Sequence, residues 1–118
     1  LEYIREITLD MSLAEELPTV VQIKQGDSLA RQILITLTDN GDPFFINDGA
    51  RVLFRYRKAN GVYAEKECAV NGNKVTVELT GDDTSAEGVS FCDICIIEDG
   101  MVLSSKSFYI RAYHATTD

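Results

Sequence analysis

Residues 23–61 read IKQGDSLARQILITLTDNGDPFFINDGARVLFRYRKANG. Ile33, Ile35 and Leu37 alternate with mostly polar neighbours, and so do Val52, Phe54 and Tyr56. Successive side chains of a strand point to opposite faces, so this alternation marks two strands that each turn one face to a core. The joints are punctuated. Asp39-Asn40-Gly41-Asp42-Pro43 is dense turn chemistry, and Asn47-Asp48-Gly49 is a second turn. Phe44-Phe45-Ile46 between them is expected to cross over or to plug the edge of the core. Ala59-Asn60-Gly61 closes the second strand.

The same alternation extends outward in both directions. Tyr3 to Met11 reads as a strand with Ile7, Leu9 and Met11 on one face. Ser12 to Thr19 is a connector in which Leu13 to Leu17 can form one helical turn before Pro18. Val20 to Lys24 is a short extended piece, broken at Gly26-Asp27, and the strand that follows is expected from Leu29 to Asp39. Val62–Val70 and Lys74–Leu79 are expected to form a hairpin around Asn71-Gly72, a strong two-residue turn signal. That register pairs Cys68 with Val75, Lys66 with Val77 and Ala64 with Leu79, and turns Cys68, Val75, Val77 and Leu79 to the core. Lys66 falls on that face too, so it is expected at the core's edge with its amine in water. On the other face Glu65 would meet Glu78, an unfavourable pair unless the strand from Arg51 lies beside it. Thr80 to Gly88 is polar, with room for a helical turn at Asp82 to Ala86.

Val89 to Glu98 is the most apolar strand, with Cys92, Ile94 and Ile96 on one face, and Asp99-Gly100 turns it back into Met101 to Tyr113. Here simple pairing fails. If Ile96 faces Leu103, then Phe108 and Ile110 fall on the wrong face, because a slip of one residue flips every side chain. A β-bulge within Ser104 to Ser107 is therefore expected, returning Phe108 and Ile110 to the core. The tail from His114 to Asp118 is polar and expected to fray. These features predict one all-β domain over residues 1–118, an immunoglobulin-like antiparallel β-sandwich of seven to eight strands.

The chain has 118 residues, enough to bury roughly two-thirds of its extended-chain surface without a disulfide or metal. No apolar run is long enough for a transmembrane helix, and no signal peptide is visible, so no membrane partner is expected. The first residue is Leu1, not Met, which raises the expectation that the chain is a fragment of something longer. A formal net charge of −8 repels phosphate backbones, so no nucleic-acid partner is expected. Of the three cysteines, Cys92 and Cys95 form a C-x-x-C. On a strand, positions three apart lie about 10 Å apart and face opposite ways, too far for a disulfide. Buried or strand-face thiols acting as small apolar groups are expected.

Catalytic chemistry is sparse. The only histidine is His114, in the tail, and there is no phosphate-binding loop, dinucleotide fingerprint or metal-ligand spacing. Asp82-Asp83 are sequence neighbours that need not face one another, and Asp39 to Asp42 lacks the alternating acids and distant Glu of a calcium loop. Two carboxylates from distant strands could still meet. No enzyme activity and no cofactor are expected. The absence of tryptophan weakens a carbohydrate-binding reading, although Tyr56, Tyr63, Tyr109 or Tyr113 could supply an aromatic platform. The outer face of the strand from Arg51 carries Arg51, Leu53, Arg55 and Arg57, a largely basic stripe on an acidic protein. Its arginines either pair with carboxylates on a neighbouring strand or dock an acidic partner.

Taken in order, several short motifs resemble one family. They are Ile7-Thr8-Leu9-Asp10, Lys24-Gln25-Gly26-Asp27 with Arg31 at a strand start, and Leu37-Thr38-Asp39-Asn40-Gly41-Asp42-Pro43 with its apolar triplet. Asp48-Gly49-Ala50-Arg51-Val52-Leu53-Phe54, Ala59-Asn60-Gly61, Glu87-Gly88, Leu103-Ser104 and Ser107-Phe108-Tyr109-Ile110 follow. Their order and spacing resemble the N-terminal domain of phage baseplate upper proteins, found in tailed phages and prophages of Gram-positive bacteria. Asn47-Asp48-Gly49 departs from the family's usual leucine-threonine-glycine-like step, and the cysteine-bearing strand is not typical either.

The resemblance implies a non-enzymatic virion part, made in the bacterial cytoplasm and carried in the phage tail baseplate or fibre. It implies docking to the baseplate and a following chain that carries host-receptor-binding parts. The implied partners are other baseplate and tail proteins and further copies of itself, as a trimer, in a longer protein of which this domain is the N-terminal part. The candidate docking surface is the stripe Arg51, Arg55 and Arg57 with the corner Gln25 and Asp27. An accessory glycan-binding or cell-surface adhesion domain is the alternative.

Overall fold

Alternating apolar residues force the chain into strands that must bury one face, and two sheets facing one another satisfy that need. The computed structural model describes residues 3–12, 19–24, 31–58, 61–79, 88–105 and 107–113. Among these, eleven strands form two sheets. The first sheet has the order β1 (Tyr3–Asp10), β3 (Arg31–Asp39), β8 (Lys74–Leu79) and β7 (Ala69–Asn71), with β4 (Asp42–Pro43) folded back on β3. The second runs β2 (Val20–Lys24), β11 (Phe108–Tyr113), β9 (Gly88–Glu98), β5 (Arg51–Arg57) and β6 (Tyr63–Glu67), with β10 (Met101–Ser104) paired to β9.

The core lies between them. Ile33, Ile35, Leu37, Val75 and Val77 from the first sheet meet Phe54, Ile94 and Phe108 from the second, all essentially without solvent exposure. Phe54 stacks on Tyr56 at 4.8 Å between ring centroids and lies 6.0 Å from Phe108. The alternation in the opening stretch thus selects the buried faces of β3 and β5 as expected. Phe44 and Ile46 pack against the same core, whereas Phe45 between them is exposed and lies over Gly72. Asn40 and Gly41 both adopt left-handed φ values of 56° and 90°, the signature of a tight two-residue hairpin between β3 and β4. The Asp10 carboxylate accepts from the Asn40 and Ser12 amides at 2.8 and 3.1 Å, tying the end of β1 to that turn.

Three expectations need correction. Among the described residues the strands number eleven, not seven to eight. Two of the expected strands each divide, and the turn after Asp39 adds the short β4. The sheets are also mixed rather than antiparallel: β1 pairs β3 in parallel, and β2 pairs β11 in parallel. Parallel neighbours need a crossover, and the chain makes one by placing β2 in the opposite sheet between β1 and β3.

The third correction concerns Val62–Val70, which is not one arm of a hairpin. It changes sheets at Cys68, whose amide makes the last bond to β5 through the Val52 carbonyl at 3.0 Å. Tyr63 to Glu67 pairs β5, and only Ala69 to Asn71 pairs β8, with Val70 opposite Val75. The turn residues are Gly72 and Asn73, one step later than expected. Asn73 is held by Leu37, its carbonyl accepting from the Leu37 amide at 2.8 Å and its side chain donating to the Leu37 carbonyl at 3.2 Å. Glu65 consequently lies opposite Arg55, and Glu78 lies opposite Gln32 in the other sheet, so the two glutamates never meet. Lys66 sits half-buried, its amine donating to the Glu78 carbonyl at 2.9 Å.

The bulge falls where expected. Ser104 pairs Cys95 but Phe108 pairs Cys92, so four steps on one strand match three on the other. Phe108 and Ile110 are buried as a result. Ser105, itself buried, anchors the bulge: its amide donates to the Ile94 carbonyl at 2.8 Å and its hydroxyl accepts from the Ile94 amide at 2.9 Å. Replacing Ser105 with alanine leaves that buried amide without a partner. The expected cost is about 1–3 kcal/mol in urea unfolding, and an unchanged midpoint would show that Ser105 does not hold the bulge. The expected turn at Leu13 to Leu17, the corner at Gln25 to Asp27, the segment from Thr80 to Glu87 and the tail from His114 lie outside the described residues.

Candidate functional site

The outward face of the second sheet carries the features that packing does not explain. Pairing across its strands sets out rows of side chains. Arg55 lies between Asp93 on β9 and Glu65 on β6, and Arg51 lies between Ile97 and a position beyond Glu67. The cross-strand pairing expected for the basic stripe is present for two of its three arginines. Arg55 binds Asp93 through both ends of its guanidinium, at 2.8 and 2.6 Å, and also reaches the Ser104 hydroxyl at 2.9 Å. Its pKa rises, through the Asp93 hydrogen bond first, with partial burial opposing. Arg51 meets Glu67 at 2.8 Å in the open, where such a pair contributes little. Arg57 is exposed and makes no ion pair or hydrogen bond among the described residues. The stripe therefore presents one uncommitted guanidinium rather than three.

Leu53 behaves differently from its neighbours. It is 7% exposed although it lies on this outer face, opposite Cys95 at 2%. The arginines flanking Leu53 on the same face are engaged to either side, Arg51 by Glu67 and Arg55 by Asp93. Cys92 and Cys95 point to opposite sides of β9, as strand geometry requires, and all three cysteines are free. Burial pushes the Cys92 thiol up to about 12 and the Cys68 thiol up to about 11. Burial likewise raises Cys95, against the opposing influence of Arg55. These thiols are packing groups without nucleophilic character at neutral pH.

Beside Arg57 the face becomes aromatic. Phe91 and Tyr63 lie opposite Arg57 on its two sides, and Tyr109 lies opposite Phe91. Phe91 and Tyr63 are more than half exposed. Phe91 and Tyr109 meet edge to face at 5.1 Å. The Tyr63 hydroxyl donates to Glu65 at 3.1 Å. A shallow, open pocket of about 220 Å³ lies between Arg57, Tyr63 and Phe91, with Arg55, Asp93 and Ser107 in its wall. Reading the sequence for its core face passed over Phe91. The signal was available, since alternation in Val89 to Glu98 puts an aromatic ring on the face that also carries Asp93. Gln25 and Asp27 lie outside the described residues, and the structure does not join them to Arg51, Arg55 and Arg57.

Comparison with known proteins agrees with this fold. A search of curated protein sequences returns no match. The fold is similar to that of the N-terminal domain of phage TP901-1 ORF48, with a TM-score of 0.74 and 15% identity, covering 95% of this chain and 98% of that one. Residues 4–117 match the family described as BppU N-terminal domain. Nearly the whole chain is thus accounted for by one family, whose members are structural parts of the phage tail and contact other phage structural proteins. The chain belongs to the BppU N-terminal domain family, the N-terminal domain of phage baseplate upper proteins.

Proposed function

We propose that this domain is the attachment module of a tail baseplate or fibre protein: it docks to the baseplate, and the chain that follows carries the host-receptor-binding parts. The observation that carries the reading is the family match over residues 4–117, which leaves almost none of the chain for another task. The mechanism is rigid display. Two sheets locked through one continuous core present a surface whose shape does not depend on a ligand. We place the docking surface on the outer face of the second sheet, around Arg51, Arg55 and Arg57, with the Gln25 and Asp27 corner as its proposed extension. The full protein is longer in this reading and self-associates through its later segments, as a trimer.

The test is reconstitution. The domain is mixed with the other baseplate proteins of the same tail, purified as an assembly lacking it, and the mixture is resolved by size-exclusion chromatography with light scattering. Stoichiometric co-elution is the expected result. Retention of the domain as a free species at micromolar concentrations of both components would overturn the reading.

A further inference from the structure

The solvent-facing side of a sheet ordinarily carries polar side chains. One row here is mostly apolar and aromatic. Val20, Tyr109, Phe91, Arg57 and Tyr63 lie side by side across five of the six strands of the second sheet. Val20 and Phe91 are half or more exposed, and so is Tyr63. Aromatic residues and arginine are the side chains that concentrate binding energy at protein interfaces. Phe91 and Tyr109 are already fixed against one another, so less side-chain freedom is lost when a partner covers them.

Charge decides what the partner presents. Arg51 and Arg55 are neutralised within the sheet by Glu67 and Asp93, which leaves Arg57 as the cation of the row. A guanidinium offers a planar fork suited to a carboxylate. The domain as a whole carries −8, so a broadly acidic surface is repelled. A single carboxylate set among apolar groups is not. It can lie against Arg57 while a neighbouring apolar side chain enters the adjacent pocket of about 220 Å³. Resting on the proposed attachment role, we propose that this row is the docking face, and that its occupant is a loop of another baseplate protein with one Asp or Glu next to an apolar or aromatic side chain.

The test uses the same baseplate assembly lacking this domain as the probe, with affinity read by calorimetry at two salt concentrations. Arg57→Gln is expected to weaken binding by about tenfold to a hundredfold, and Phe91→Ser by a comparable factor. Lys74→Gln, which removes an exposed cation on the first sheet outside the proposed docking surface, is expected to change it less than about twofold. Circular dichroism melting of each variant separates lost contacts from lost fold. The salt dependence is expected to change in Arg57→Gln, because the attractive ion pair is lost and only the repulsion from the domain's net charge of −8 remains. If the unaltered domain binds the assembly and both row variants bind equally well, this inference fails and the attachment role stands. If the unaltered domain does not bind at all, the attachment role fails and the inference with it. Binding of purified host cell-wall polysaccharide, abolished by the same two variants, would assign the row to a glycan and overturn the proposal.

Discussion

Replacing Phe54 with alanine is expected to destabilise the domain by about 3–5 kcal/mol, the range for removing a buried aromatic ring. Phe54 has no solvent exposure and sits where the two sheets meet, stacked on Tyr56 and tilted against Phe108. Its backbone is bonded on both sides, opposite Ile94 and Lys66, so the strand cannot move inward to fill the space left behind. The cost therefore includes a cavity as well as the lost transfer of the ring from water. A domain of this size is stable by about 5–15 kcal/mol in total, so the variant loses a large part of what it has. Guanidinium unfolding followed by circular dichroism measures the effect, with the slope expected to stay constant if only the native state changes. Phe45, in the same stretch but 67% exposed, provides the comparison. Its alanine variant is expected to shift stability by about 0.5 kcal/mol or less. Equal losses at the two positions would contradict the placement of the core.

The second large effect is alkaline. Cys68 and Cys92 ionise at about 11 and about 12 in the folded protein, from an ordinary value of 9.0, because burial disfavours the thiolate. A raised folded pKa means that the native state holds its proton longer than the unfolded chain. The associated stability is complete below pH 9 and is lost as the pH climbs from there through 11 and 12. Summed over the two thiols, the loss by pH 11 is on the order of 3–5 kcal/mol. Urea unfolding at pH 8 and pH 11 measures it. Other groups titrate in the same range, so the informative quantity is the difference from a Cys68→Ala, Cys92→Ala double variant. That variant is expected to start less stable at pH 8 and to lose correspondingly less between the two pH values. An identical pH dependence in both proteins would rule out the thiols as its source.

Much of the architecture was legible because its signals are local. Alternation at Ile33, Ile35 and Leu37, and at Val52, Phe54 and Tyr56, assigned the buried faces correctly. The bulge was inferred from a conflict between two buried sets, and Ser105 supplies the anchor that resolves it. The strand from Val62 to Val70 was misread for a physical reason. Asn71-Gly72 is a strong turn signal, and a turn specifies its nearest neighbours but not how far a strand stays in one sheet. Cys68 carries no mark that the chain will cross there, because either sheet satisfies its half-buried side chain.

The candidate surface divides in the same way. Three arginines at alternating positions showed a basic stripe, and their residue types alone left pairing and docking both open. Whether each finds a carboxylate depends on which residue lies opposite. Asp93 binds Arg55 because β9 flanks β5, and Phe91 and Tyr63 lie opposite Arg57 because β9 and β6 flank it on its two sides. The sequence by itself determined the inward faces of β3, β5 and β9, the turn at Asn40-Gly41 and the need for a bulge, since each follows from residue geometry within a few positions. Only the tertiary structure decided which strands are neighbours, that two pairs run parallel, and that Val20, Tyr109, Phe91, Arg57 and Tyr63 form one row. Those residues come from five strands spread along the chain. What joins them is the closure of long loops around a shared core, and no period in the sequence encodes it.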